Sequence, residues 1–246
     1  MKILGIIPAR FASTRFPGKP LVEIDGKSMI RRVVEQATSC KALFSVIVAT
    51  DDERIFNHVQ SFGYQVVMTS PDHPSGTDRC LEAYQKSGLH ADAIINIQGD
   101  EPFVDPSQID LLANLISKPE VEIATLAKRI SDNASLFNPN KVKVIFSPNG
   151  RAIYFSRHAI PYQKNSPQNE WHLHHAYYKH IGLYAYQVTA LTSICSLETS
   201  PLERAESLEQ LRWIESGMSI YVAETDIETP AVDTPEDLKH ILDNLL

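Results

Sequence analysis

Ile3-Leu4-Gly5-Ile6-Ile7-Pro8-Ala9-Arg10-Phe11-Ala12-Ser13-Thr14-Arg15-Phe16-Pro17-Gly18-Lys19-Pro20 stands almost at the start of the chain. Ile3 to Ile7 is an apolar run of strand length, the pattern of a buried strand. It passes directly into a loop in which Arg10, Arg15 and Lys19 fall within ten residues and no acid appears before Glu23. In a chain of net charge -7, an exclusively cationic loop after a buried strand points to a polyanionic ligand. A nucleoside triphosphate is the first candidate.

The loop lacks the glycine run and Lys-Ser/Thr ending of a P-loop, and it has no Gly-x-Gly-x-x-Gly for a dinucleotide. Arg10, Arg15 and Lys19 therefore supply charge through their side chains, the guanidinium forks gripping phosphate oxygens and the ammonium acting as a point charge. Pro8, Pro17 and Pro20 stiffen the segment and lower the entropy cost of holding the cations together. By charge alone a solvated basic loop fits equally well; the order strand, Pro-Ala-Arg, Ser-Thr-Arg, Pro-Gly-Lys-Pro is far more specific than charge.

Working outward, apolar runs of strand length alternate with helical patterns through the first half. A helix from Ser28 to Ser39 carries Met29, Ile30, Val33, Val34 and Ala37 on one face, and Phe44 to Thr50 follows as a strand. Helix Glu53 to Phe62 closed by Gly63, strand Gln65 to Met68, helix Asp78 to Ser87 closed by Gly88, and strand Ala93 to Ile97 continue the alternation. Such units in series predict an α/β fold: a mostly parallel central sheet with helices on both faces.

Beyond residue 120 the pattern changes. Val142 to Phe146 and Ala152 to Ser156 flank Asn149-Gly150, a strong hairpin signal. Ser166 to His175 is polar and aromatic without a clean period, and Lys179 to Tyr186 again has strand character. We expect 1–246 to form one domain, with an excursion of antiparallel strands and loops at about 135–205 as the candidate subunit interface. Helix Leu202 to Ser216, strand Ser219 to Glu224 and a final helix capped by Thr234, with Pro235 in its first turn, then return to the main sheet.

The 246 residues suffice for a substantial core. No extended basic face follows residue 20, which argues against a general nucleic-acid partner. Cys40, Cys80 and Cys195 are odd in number and far apart, as expected of reduced thiols in a cytoplasmic protein. The opening apolar run is broken by Pro8 and Arg10, too soon for a signal peptide or a membrane span.

Ligands of open parallel sheets sit at the carboxyl ends of the strands. Asn96-Ile97-Gln98-Gly99-Asp100-Glu101-Pro102 places an acid just beyond a buried strand, where a divalent metal ligand is expected. Mg2+ takes oxygen ligands and keeps waters and phosphates, so one or two carboxylates suffice. Asp100 is the first choice, Glu101 its alternative, and Asp233, before the last helix, a second ligand; by itself Asp233 reads as a turn residue. Thr69 to Arg79 is rich in hydroxyls and turn residues, suited either to reading a base edge or to capping a helix. Thr50-Asp51-Asp52 reads as a helix cap. His172, His174 and His175 lack cysteine partners or a His-Glu-x-x-His helix, and fit an exposed or interface loop better than zinc.

Taken together, Pro8-Ala9-Arg10-x-x-Ser13-Thr14-Arg15-x-Pro17-Gly18-Lys19-Pro20, Ser75-Gly76-Thr77-Asp78-Arg79 and Asn96 to Pro102 resemble the 3-deoxy-manno-octulosonate (Kdo) cytidylyltransferases. The likeness continues through Phe137-Asn138-Pro139-Asn140, Tyr154-Phe155-Ser156-Arg157, His180 to Tyr184, Ser200 to Glu203, Leu208 to Arg212 and Val232 to Asp237, and is weakest over Gln163 to His175. The resemblance implies a nucleotide-diphospho-sugar transferase, Rossmann-like fold, a homodimer, and formation of CMP-Kdo from CTP for lipopolysaccharide synthesis. By motif it implies that Pro8, Ala9, Arg10, Ser13, Lys19, Ser75, Gly76, Thr77 and Arg79 bind the nucleotide. Arg15, Gln98, Arg157, His180, Tyr184, Glu209 and Gln210 would line the sugar site, and Asp100 and Asp233 would hold Mg2+. Arg10, Arg15, Lys19 and Asp100 would be the catalytic set.

The implied chemistry is in-line attack of the anomeric hydroxyl on the α-phosphorus, expelling pyrophosphate, with no evident side-chain base. Two rivals stay open: an enzyme of the same fold that activates sialic acid or an amino-substituted Kdo, and a nucleotide-binding regulator without catalysis. The second predicts damage among Arg10, Lys19, Asp100 and Asp233, all of which are present.

Overall fold

In the computed structural model, which describes residues 1–12 and 15–245, the opening apolar run is strand β1, Ile3–Ala9. Its alternate side chains enter two different cores. Ile3 and Ile7 join the cluster under the helices Met29–Ser39 and Pro106–Ile116, while Leu4 and Ile6 join the one under Gly76–Ser87, Val188–Cys195 and Gln210–Glu215. A strand covered by helices on both faces has no position left for a polar residue, hence the unbroken apolar run.

A short hairpin of β2 (Glu23–Ile24) and β3 (Lys27–Ser28) follows the cationic loop. The other strands are β4 (Leu43–Thr50), β5 (Gln65–Met68), β6 (Ala93–Asn96), β7 (Ile123–Arg129), β8 (Lys143–Phe146), β9 (Ala152–Ser156), β10 (Tyr178–Gln187) and β11 (Ile220–Glu224). Their order is β11-β7-β10-β6-β1-β4-β5, with the β8–β9 hairpin attached to β10. β6, β1, β4 and β5 run parallel, and β11 is parallel to β7. β10 is antiparallel to both of its neighbours, β6 and β7.

The expected α/β architecture is therefore present, as is the hairpin around Asn149-Gly150, where Gly150 takes φ +84°. β10 differs from its expected place: it sits in the middle of the main sheet and not in an outlying excursion. The expected helix Leu202 to Ser216 is two helices, Pro201–Glu206 and Gln210–Glu215, parted at Ser207, whose φ of 52° ends the first. The helix expected from Asp78 starts earlier, at Gly76, and its cap is Ser75, whose side chain accepts from the Asp78 amide. At the last helix, Pro235–Leu245, Thr234 Oγ1 accepts from the Asp237 amide at 3.2 Å while Asp237 Oδ2 accepts from the Thr234 amide at 2.8 Å, a reciprocal cap.

Candidate active site

The carboxyl ends of β1 and β6 lie side by side, and the register carries on past the strands: the Ile97 amide donates to the Ile6 carbonyl at 2.9 Å. Gly99 then passes so close to β1 that a Cβ there would stand 2.6 Å from the Pro8 carbonyl oxygen. Only glycine permits that approach, and it brings the Asp100 turn against the cationic loop. The loop closes on itself at Gly18, whose φ of +72° lets its amide donate to the Phe11 carbonyl at 3.0 Å.

Lys19 Nζ consequently stands 2.8 Å from Asp100 Oδ2 and 3.4 Å from Asp233 Oδ1. Arg15 reaches the same Asp233 oxygen at 3.0 Å. Asp233 is delivered by a main-chain bond from the Val232 amide to the Asp100 carbonyl at 2.9 Å, with Val232 buried against Ile24, Met29 and Ile241. These groups and Arg10 form one wall of a cavity of about 260 Å3; Pro8, Ala9 and Gln98 contribute to its lining, as do His73 and Ser75 from the loop after β5 and Gly76 and Arg79 from the helix that follows it. Two carboxylates thus share one ammonium. Their donor set is hard oxygen, as Mg2+ prefers, and phosphate oxygens would have to complete the shell. Among the described residues no group of three or more His, Cys, Asp or Glu side chains is placed to hold a metal. Glu101 turns away: buried, it accepts from Thr229 Oγ1 at 2.9 Å and lines a different cavity, and burial pushes its carboxyl up to about 7.

Arg79 is held by a buried ion pair with Asp51 at 2.9 Å and by Thr69 Oγ1 at 2.6 Å, tying the ends of β4 and β5 to helix Gly76–Ser87. Of the acids read as a helix cap, only Asp52 caps, accepting from the Arg54 amide at 2.9 Å. His73 is a lining residue that sequence reasoning missed, since a lone histidine among turn residues carries no signal of its own. Its ring nitrogen bonds Glu82, which also accepts from the Ser70 amide at 2.7 Å.

A second cleft, about 300 Å3, opens on the other side of Gly76 and Gln98, the two residues that line both. Gln98 is fixed there by donating to the Gly182 carbonyl at 2.8 Å, exposed where β10 slips register between Ile181 and Tyr184. Tyr184, Glu209 and Gln210 line this cleft as the resemblance implies. Burial raises the Glu209 carboxyl above its ordinary value, against Arg212 at 2.9 Å and hydroxyl donors Thr77 at 3.0 Å and Ser75 at 3.1 Å.

Other expected site residues are placed differently. Thr77 faces this second cleft, not the cationic one. His180 lies beyond Gly182 in a third cavity with Lys128 and Lys179, its ring 3.0 Å from Thr125 Oγ1 and pushed down to about 3 by burial and the Lys179 charge. The Arg157 guanidinium is spent on main-chain carbonyls, Glu206 at 2.7 Å and Pro139 and Ser207 at 3.2 Å, and lines neither cleft. Ser13 falls outside the described residues. In the histidine segment, His172 pairs with Asn133 at 2.9 Å and His174 with Glu170 at 3.4 Å.

Residues 4–220 match the family model described as cytidylyltransferase. A 3-deoxy-manno-octulosonate cytidylyltransferase of Cytophaga hutchinsonii is 55% identical over 98% of this chain and 96% of its own. An 8-amino-3,8-dideoxy-manno-octulosonate cytidylyltransferase of Shewanella halifaxensis is 45% identical over 97% and 96%. Among solved structures, a CMP:2-keto-3-deoxy-manno-octonic acid synthetase complexed with CTP superposes with a TM-score of 0.92 at 41% identity, covering 100% of this chain and 98% of that one. The chain belongs to the cytidylyltransferase family, in the branch of the 3-deoxy-manno-octulosonate cytidylyltransferases.

Proposed function

We propose that this enzyme transfers CMP from CTP to Kdo, releasing pyrophosphate and forming CMP-Kdo for lipopolysaccharide synthesis. The observation that carries the proposal is the meeting of two unlike clefts at Gly76 and Gln98, one lined by Arg10, Arg15 and Lys19 and the other by tyrosines, amides and a carboxylate. The cationic cleft suits a triphosphate and the other a polyhydroxylated sugar.

The sugar acid and the triphosphate repel each other. Arg10, Arg15 and Lys19 offset that repulsion and stabilise charge gathering on the departing pyrophosphate. The Asp100–Asp233 pair would hold Mg2+, which when bound supplies further charge neutralisation at the phosphates and acidifies the attacking hydroxyl. Lys19, now bridging the pair, would turn its ammonium toward phosphate oxygens. Gln98 borders both clefts and so orients the acceptor at the point of transfer; such positioning accounts for much of the acceleration in group transfer.

We further propose that residues 1–246 work as one nucleotidyltransferase unit in the cytoplasm, where CTP is made, and as a homodimer. For the interface we propose the segment carrying Tyr162 and Leu173, which are 71% and 68% exposed. No helix of the described residues is long and apolar enough to cross a membrane.

Pyrophosphate release from CTP, Mg2+ and Kdo tests the assignment, with UTP, sialic acid and 8-amino-3,8-dideoxy-manno-octulosonate as further arms. Release that needs CTP, Kdo and metal together is expected. Release with the amino sugar alone would keep the mechanism and change the acceptor, and binding of CTP without turnover on any sugar would favour the regulator.

A further inference from the structure

One aromatic ring fastens the base of the cationic loop. Phe11 directly follows Arg10 and Gly18 directly precedes Lys19, so these two residues sit beside two of the site's cations. Their main chains are joined by the bond from the Gly18 amide to the Phe11 carbonyl, and the tip of the Phe11 ring lies on Gly18, where a Cβ would stand 3.1 Å from Cζ. The face of the ring is covered by Arg54, whose guanidinium carbon is 3.3 Å from the ring centroid. Arg54 belongs to the first turn of helix Glu53–Ser61, which follows β4, the strand that pairs Thr50 with Ala9 of β1. Asp52, the cap of that helix, grips the guanidinium edge with both oxygens, Nε at 2.9 Å and Nη2 at 2.7 Å. A guanidinium held by its edge keeps its flat face for an aromatic ring.

Neither Phe11 nor Arg54 lines the cavity, and the charge of Arg54 is matched by Asp52, so the stack holds no phosphate itself. It joins the ends of two neighbouring strands at the point where the loop closes. We infer that Arg54, fixed by Asp52 and stacked on Phe11, is a positioning residue for CTP that sets Arg10 and Lys19 in place before the nucleotide arrives. Groups already ordered in the free protein lower the cost of binding. The inference rests on the reading of this cleft as the CTP site and adds to it a clamp outside the cavity.

The test is calorimetric titration of the whole protein with CTP and Mg2+, which needs no turnover. Arg54→Met should raise the dissociation constant about two- to fivefold, the worth of an exposed cation–aromatic contact, and Arg54→Lys should fall between it and the unaltered protein. The KM for the acceptor should not move, and the melting temperature should change little, since the Arg54 side chain is 60% exposed. Phe11→Leu should also weaken CTP, and Arg54→Met should then add nothing further. Equal effects of Arg54→Met in both backgrounds would mean that Arg54 acts through its charge alone, and would overturn the inference. Should Phe11→Leu fail to fold, Asp52→Asn decides, because it keeps a capping residue while freeing the guanidinium. The clamp predicts weaker CTP binding there; unchanged or tighter binding would overturn it. CTP bound equally by every variant would remove the clamp and leave the CTP site standing, whereas no binding to the unaltered protein would remove both.

Discussion

Lys19 Nζ lies 2.8 Å from Asp100 Oδ2, joining residues 81 apart in the chain across the carboxyl ends of β1 and β6. The Lys19 side chain is 12% exposed and that of Asp100 30%, so the pair sits in the mouth of the site and not in the core. The Lys19 ammonium also stands 3.4 Å from Asp233 Oδ1 and so offsets the charge of both carboxylates.

Asp100→Asn keeps the shape of the turn and removes the charge. Turnover at saturating CTP, Kdo and Mg2+ should fall by at least about a hundredfold, in the range seen when one electrostatic stabiliser is lost, with little change in melting temperature. Wild-type turnover in a folded variant would remove Asp100 from the mechanism.

Gly99→Ala tests the contact that positions that acid. A Cβ there would meet the Pro8 carbonyl oxygen at 2.6 Å, and main chain cannot swing aside as a side chain can. Overpacking of this kind costs about 1–3 kcal/mol. Thermal melts should show the loss, together with reduced turnover; equal stability and activity would mean that β1 and the Asp100 turn yield easily.

Arg79 and Asp51 form a buried pair, their side chains 4% and 11% exposed. Asp51→Asn strands the guanidinium charge, and losing one partner of a buried pair costs about 3 kcal/mol. Chemical denaturation should register this as a lower midpoint, and the KM for CTP should rise because Arg79 lines the cationic cleft. A midpoint within experimental scatter of wild type would show that water reaches the pair.

Glu82 sets a pH dependence at the loop that carries His73. Burial raises its carboxyl, but hydrogen bonds from Lys86, the Ser70 amide and His73 outweigh burial and bring it down to about 2 from an ordinary 4.5. A depressed carboxyl contributes stability above its unfolded value and loses it as pH falls through the folded one. Wild type should therefore exceed Glu82→Gln in stability at pH 6, the gap closing between about pH 4.5 and 2. A gap constant over that range would mean that the ionised form is not what holds the loop.

Local pattern made much of the fold and site legible. Ile3 to Ile7, the cationic loop, Asp100 after β6 and the Thr234 cap are all written in neighbouring residues, and each stands where that pattern places it. The direction of β10 is not written that way: an apolar strand looks the same whether its neighbours run with it or against it, and pairing with β6 and β7 is decided by the whole topology. The Arg79–Asp51 pair, the slip at Gly182 that exposes a carbonyl to Gln98, and the convergence of Asn96 with Trp213 are likewise long-range. Arg157 and His180 show the opposite limit: motif brought them to the site, while their hydrogen bonds place Arg157 on main-chain carbonyls and His180 beyond Gly182.

If the acceptor attacks the α-phosphorus of CTP held by Arg10, Arg15 and Lys19, turnover of CTP labelled separately at the α- and γ-phosphates has one expected outcome. The α-label should appear in the sugar nucleotide and the γ-label in pyrophosphate, both reduced in parallel by Lys19→Met. γ-Label in the sugar product, or α-label left in free CMP with the sugar unchanged, would rule out attack at that phosphorus.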